Sequence, residues 1–203
     1  MDSYTFLCEG VCFSTITILE YQLQTFISLL RGINVSGQKL IKMADLRELY
    51  FGLGFTDVQT YIQSGNVIFK TQQTDRKKII TKIENAINEK YGFHVPVQIR
   101  SQDEIKTVID NLPIKGEREF NRLLVTFLSE IPETIPMDEI KKFMAPDDDI
   151  VIKDREIYFY FPEGLGKSKL DNKTLERKLN VKTTARNWKT VNKLYEMCVN
   201  QSS

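Results

Sequence analysis

Histidine is almost missing from this chain: His94 is the one copy, and Cys8, Cys12 and Cys198 are the only thiols. With no CxxC pair and no Cys/His cluster, no metal site is expected. An odd number of cysteines fits reduced thiols, so the expected location is the cytoplasm. His94 stands beside Val95 and Pro96 with no carboxylate or nucleophile nearby in the sequence. No catalytic triad can be assembled from it. No apolar run approaches the roughly 20 residues that a membrane helix needs, so no membrane partner is expected. Charge of one sign is also lacking. A net charge of +1 argues against a globally basic nucleic-acid binder while leaving local patches open. No cofactor is indicated.

What is present describes an ordinary globular chain. Its 203 residues are 41% hydrophobic and 27% charged, enough for a sizeable core in one or two domains. The first 24 residues contain no Lys or Arg, unlike a secretory signal with its basic start. They read as an N-terminal extension, residues 1–24, outside the globular fold.

From Thr25 the pattern is regular. "FISLL" reads as a buried strand and "MADLRELYFGLGF" as a helix by the spacing of Met43, Leu46, Leu49, Tyr50 and Leu53. "VQTYIQ" and "NVIFK" form a hairpin around Gln63-Ser64-Gly65. A helix with Ile79, Ile80, Ile83 and Ile87 follows, then the strand "VPVQI". The order βαββαβ predicts a four-stranded antiparallel sheet with both helices on one face. "SQDEIKTVIDNLP" reads as a linking helix, with Ser101 as N-cap and Glu104 three residues on. The same order then begins again at "RLLVTFL". The expected fold is α+β: two tandem ferredoxin-like subdomains with antiparallel sheets, residues 25–100 and 121–203, joined by a linking helix and loop at 101–120. A C-terminal helix, "NWKTVNKLYEMC", closes the second.

In the strand "EIYFYF", Tyr158 and Tyr160 alternate with Phe159 and Phe161, so both faces carry aromatic rings. Helices cover one face only. The other pair is either a base-stacking platform or, the preferred reading, buried against the other half.

Two glycine loops invite comparison with phosphate-binding loops. "GINVSGQK" has Gly32 and Gly37 at Walker spacing, but Gln38 displaces Lys39 by one position and Leu40 stands where the metal hydroxyl belongs. In "FPEGLGKS", Gly166, Lys167 and Ser168 fit, but Phe161 occupies the first glycine position. Neither is a Walker loop. Each still offers backbone amides and a cation between a strand and a helix, the makings of a simpler anion nest. Turn geometry alone also explains such glycines. Between Glu163 and Lys193, nine cations against three carboxylates leave +6, framing the second loop and the lone Trp188. A phosphate-bearing partner is the reading this favours.

The stretch "LLRGINVSGQKLIKMADLRELYFGLGFTDVQTYIQSGNVIF", with "FPEGLGKSKL" and "TTARNWKTVNKL", resembles the three ordered signatures of the family called domain of unknown function 1697. The resemblance covers about Thr25 to Val199. It implies the same tandem ferredoxin-like α+β fold in a mostly bacterial, cytoplasmic protein with no established activity. It places Arg31, Gly32, Asn34, Gly37 and Lys39 in the first signature, with Tyr61, Gln63, Ser64, Gly65 and Asn66. Gly164, Gly166, Lys167, Ser168, Lys169 and Leu170 fall in the second, and Thr184, Arg186, Asn187, Trp188 and Thr190 in the third. Ser36 and Ala185 depart from the pattern.

The resulting expectation is a binder of a phosphorylated small molecule or nucleic acid. Its candidate ligand residues are Arg31, Gly32, Asn34, Gly37, Lys39, Gln63, Ser64, Asn66, Gly166, Lys167, Ser168, Lys169, Arg186, Asn187 and Trp188. In the sharpest form, Arg31, Lys39, Lys167 and Arg186 share one anion site between pseudo-symmetric halves. An enzyme of unrecognised mechanism acting on a phosphorylated substrate, or a protein-interaction module, are the alternatives.

Overall fold

The structure, a computed structural model, describes residues 23–114 and 119–200. Most of the expected N-terminal extension, with Cys8 and Cys12, lies outside the described residues. The first half runs β1 (Gln24–Leu30), α1 (Met43–Gly52), β2 (Thr56–Tyr61), β3 (Asn66–Thr71), α2 (Arg76–Tyr91), β4 (Val97–Ser101) and α3 (Gln102–Asp110). The second runs β5 (Leu123–Leu128), α4 (Met137–Lys141), β6 (Asp149–Lys153), β7 (Glu156–Tyr160), α5 (Asn172–Leu179), β8 (Thr183–Asn187) and α6 (Trp188–Asn200). Two four-stranded antiparallel sheets result, in the orders β2-β3-β1-β4 and β6-β7-β5-β8. This is the ferredoxin-like strand order twice over.

Local chemistry sets the boundaries. Asp75 caps α2 by accepting from the amides of Lys77 and Lys78, and Gly92 at φ 76° ends it in the left-handed region. Ile79, Ile83 and Ile87 form the buried stripe of α2 between those ends. The β2–β3 turn needs glycine for two reasons. Gly65 has φ 78°, and a Cβ there would lie 2.7 Å from both Leu30 Cβ and Ile33 Cδ1.

Three apolar clusters fill the molecule. One lies between the first sheet and α1 and α2, around Phe26, Tyr50, Phe69 and Ile83. Another lies between the second sheet and α4 and α5, around Ile157, Phe159, Phe161 and Leu175. The third is central. There Ile27, Leu29 and Ile68 of the first sheet meet Val125, Phe127, Tyr158 and Tyr160 of the second, with side chains of α3 and α6. The tyrosine face of β7 is therefore buried against the other half, and the phenylalanine face sits under its own helices.

Helix α3 is more than a linker. It follows β4 as α6 follows β8, and the two helices pack on each other at the centre. Each half is thus βαββαβα. Ser101 and Glu104 cap α3 reciprocally: Ser101 Oγ accepts from the Glu104 amide, and Glu104 Oε2 accepts from the Ser101 amide at 2.7 Å. The other Glu104 oxygen takes Arg76 at 2.8 Å and also Arg155 of the β6–β7 turn.

Burial raises the Glu104 carboxyl pKa, but the hydrogen bonds from Arg76 and Ser101 and the nearby guanidinium charges outweigh it and hold it below the usual range. A depressed folded-state pKa gives stability that is full above the unfolded value, about 4.3, and lost as pH falls through the folded value. Glu104→Gln should therefore cost about 1–2 kcal/mol at pH 7. That cost should shrink on acidification to about pH 3.5. Urea unfolding at both pH values tests this; an equal deficit at both would show that the charge of Glu104 is immaterial.

Candidate functional site

The candidate residues of the first and third signatures converge on one end of the seam between the halves. Arg186, on β8, is 7% exposed and reaches across into the first half. Its Nη2 donates to Leu30 O at 2.8 Å, Ser64 O at 3.0 Å and Gly65 O at 3.3 Å, and its Nε to Asn66 Oδ1. Its Nη1 donates to Thr184 Oγ1 and Ala185 O. All three nitrogens are engaged, yet the charge meets amide and hydroxyl oxygens, with no carboxylate among these acceptors. Burial accordingly pulls the guanidinium pKa down to about 10, which leaves it protonated at neutral pH.

The same clasp is built at the other end in reverse. Arg100, on β4 and 1% exposed, donates Nη2 to Leu128 O at 2.8 Å and Arg155 O at 3.2 Å, and Nε to Glu156 Oε1 at 2.9 Å. Leu128 closes β5 as Leu30 closes β1, and each donates its amide to the turn carbonyl its clasp also uses, Arg155 O and Gly65 O, both at 2.8 Å. The halves are related by a pseudo-twofold that exchanges Arg100 with Arg186 and Glu156 with Asn66. One clasp is an ion pair and the other is not. Neither the exchange nor the role of Arg100 was read from the sequence. A shared signal was there: "QIRSQDE" and "TARNWKT" both place an arginine and then a helix cap at the end of a strand. Asn187 Oδ1 caps α6 by accepting from the Thr190 amide, as Ser101 caps α3.

The other candidates divide between this seam and the loops. Asn66 Nδ2 donates to Tyr61 O and Ser64 Oγ, tightening the turn that Arg186 grips. Arg31 pairs with Glu176 of α5, whose Oε1 also accepts from the Thr183 amide. Asn34 folds the first glycine loop onto itself, bonding Ile41 N and O and Gln63 O, with Gly32 and Gly37 at φ 66° and 74°. Lys39 Nζ donates to His94 O at 2.7 Å. Gly166 and Lys167 belong to a 3-10 turn; Ser168 Oγ and the Lys169 amide both bond Phe143 O.

Of the four residues expected to form one anion site, Arg31, Lys39, Lys167 and Arg186, three are engaged within the protein. Arg31 pairs with Glu176, Arg186 spends its donors on backbone carbonyls and on the Asn66 and Thr184 side chains, and Lys39 donates to His94 O. The two glycine loops follow non-equivalent strands, β1 and β7, so the pseudo-twofold does not relate them.

Beside the Arg186 clasp lies an open groove of about 680 Å³, lined by Tyr61, Phe120, Asn121, Trp188, Lys189, Asn192, Lys193 and Glu196. Three aromatic rings from both halves meet here. Trp188 is 7% exposed and forms the floor, Phe120 is 65% exposed, and Tyr61 is half-buried. The clasp places two of them: Asn66 holds Tyr61 O, and Arg186 stands two residues before Trp188. Lys193 pairs with Glu196 at 2.9 Å, which raises the lysine pKa, with a smaller contribution from the Tyr61 phenol. Phe120 was not singled out from sequence, because only the docking of the halves sets it beside Trp188.

A second cleft of about 430 Å³ lies in the second half over Phe159 and Phe161, under the 3-10 turn and the start of α5. Among the described residues no group of three His, Cys, Asp or Glu is placed to hold a metal ion, and no helix is long and apolar enough to cross a membrane.

Comparison with known proteins bears on the family and the fold. The family profile described as "Protein of unknown function (DUF1697)" matches residues 23–158. A solved structure of the conserved bacterial protein SP0830 from Streptococcus pneumoniae is similar in fold, with a TM-score of 0.63 at 23% identity, covering 87% of this chain and 99% of that one. No curated protein matches.

Proposed function

We propose, for a chain that belongs to the DUF1697 family, that the seam groove binds a nucleotide without catalysing its reaction. The observation that carries this is the convergence of Tyr61, Phe120 and Trp188, from both halves, on one groove with Lys189 and Lys193 at its rim. A flat aromatic base stacks on such rings in a sequence-tolerant way, and lysines at the rim suit its phosphates. No side chain lining the groove is a histidine or a cysteine, and its one carboxylate, Glu196, is already paired with Lys193. Binding is therefore favoured over acid–base catalysis. The base is held in the groove, and not on the β7 rings, which are buried.

Trp188 is the only tryptophan, so its emission reports the groove directly. Titration with mononucleotides should quench or shift that emission to saturation, and Phe120→Ala should weaken the binding. Stacking contributes about 1–3 kcal/mol per base, or roughly 5- to 150-fold in affinity. Phe120 is largely exposed, so the variant should melt like the parent. Emission that does not change at millimolar nucleotide and low salt would dismiss the reading. Equal affinity for parent and Phe120→Ala would move the ligand to another surface.

A further inference from the structure

Strand β6 is an outer edge of the second sheet. Lys153 and Glu156 close the two-residue turn Asp154-Arg155 and so form a hydrogen-bonded pair. Alternation then directs the backbone groups of Lys153, Val151 and Asp149 to β7, and turns the N–H and C=O of Ile152 and Ile150 outward. No turn or loop of the described residues bonds to those outward groups. The corresponding edge of the first sheet is protected differently: β2 is broken by a register shift between Thr56 and Gln59, with Asp57 at φ 51°. Strand β6 has neither a bulge nor a proline, and its three central residues are Ile, Val and Ile.

We propose that β6 pairs with β6 of a second copy of this chain, antiparallel, about a twofold axis through Val151. The sequence Asp149-Ile150-Val151-Ile152-Lys153 is its own complement when reversed. Ile150 of one copy then faces Ile152 of the other, and their outward groups make four N–H···O bonds. Asp149 faces Lys153 in the closer, non-hydrogen-bonded type of pair, where opposite charges attract most. Asp149 also interacts within its own chain; a carboxylate has acceptor capacity for both. Slipping the register by one residue either way loses both charge matches. An unrelated peptide would need no such palindrome. Val151 packs on the central cluster, so pairing at the axis extends that cluster from one copy to the next. Two four-stranded sheets become one of eight strands.

Sedimentation velocity of the full chain over a concentration series tests this. The parent should show a concentration-dependent dimer. Lys153→Asp puts two carboxylates opposite each other twice and should weaken dimerisation by about fivefold or more. Adding Asp149→Lys to that variant swaps the charges and should restore the dimer, which a merely structural role for either residue would not do. Ile152→Pro removes an outward donor at a position where an edge strand tolerates proline, and should leave a folded monomer by circular dichroism. A parent that stays monomeric at about 0.5 mM, well above a micromolar dissociation constant, overturns the proposal. So does a dimer that Lys153→Asp and Ile152→Pro both leave intact. Should Ile152→Pro fail to fold, the charge-swap pair decides alone.

Discussion

Arg186→Ala should lower the unfolding free energy by about 4 kcal/mol, a large share of the stability of an ordinary domain. The cause is the set of acceptors left behind. Leu30 O, Ser64 O and Asn66 Oδ1 lose a charged donor in a place where little water reaches. Hydrogen bonds to a charged group contribute about 1.5–3 kcal/mol each, and water entering the vacated space restores part of that. Arg186→Lys should recover less than half of the loss, because a single ammonium cannot span acceptors on β1, the β2–β3 turn and β8. Urea denaturation of the three proteins provides the measurement. A deficit below about 1 kcal/mol for Arg186→Ala would mean that water substitutes for the clasp.

Arg100→Ala should be at least as damaging, about 3–5 kcal/mol, for a different reason. Here the abandoned partner includes Glu156, a carboxylate whose side chain is 14% exposed. Arg100 also lies over the Phe127 ring at 5.3 Å, so packing is lost with the charge. Removing that carboxylate as well, in Arg100→Ala combined with Glu156→Gln, should recover part of the loss, because no buried charge is then left without its partner. Urea unfolding of the two single variants and the double variant measures that coupling. An Arg100→Ala deficit that Glu156→Gln leaves unchanged would refute the assignment of this clasp as ionic.

Much of the architecture was legible in the chain because it is written locally. The isoleucine spacing of α2, the Asp75 and Ser101 caps, the glycine turn at Gly65 and the alternation of Tyr158 with Phe159 each speak for their own element. The alternation even named the pair of faces between which the structure chose. Helix α3 reads as a linker in the sequence, and its packing against α6, far along the chain, shows only in the fold. The polar signature residues were harder still. Arg31 looks like a free cation until Glu176 is brought to it across 145 positions. Asn34 looks like a ligand contact until Ile41 and Gln63 consume its amide. A polar residue in a loop reads the same whether it awaits a ligand or holds the fold, and only the docked halves distinguish the two. The groove at Tyr61, Phe120 and Trp188 has the same origin: no single segment contains it.

The clasp also sets an order of events at the ribosome. Arg186 bonds to partners 120 to 156 positions earlier in the chain. The first half can assemble its helical side as soon as α2 and β4 have emerged. Its other face, with Ile27, Leu29 and Ile68, must wait for the second sheet, completed by β8, and for α6. A nascent chain therefore carries a finished sheet with one apolar face uncovered until β8 and α6 have emerged. Such a face attracts chaperones and other nascent chains. A stop codon before Arg186 would leave it permanently open, so a chain cut short of β8 and α6 should aggregate instead of folding.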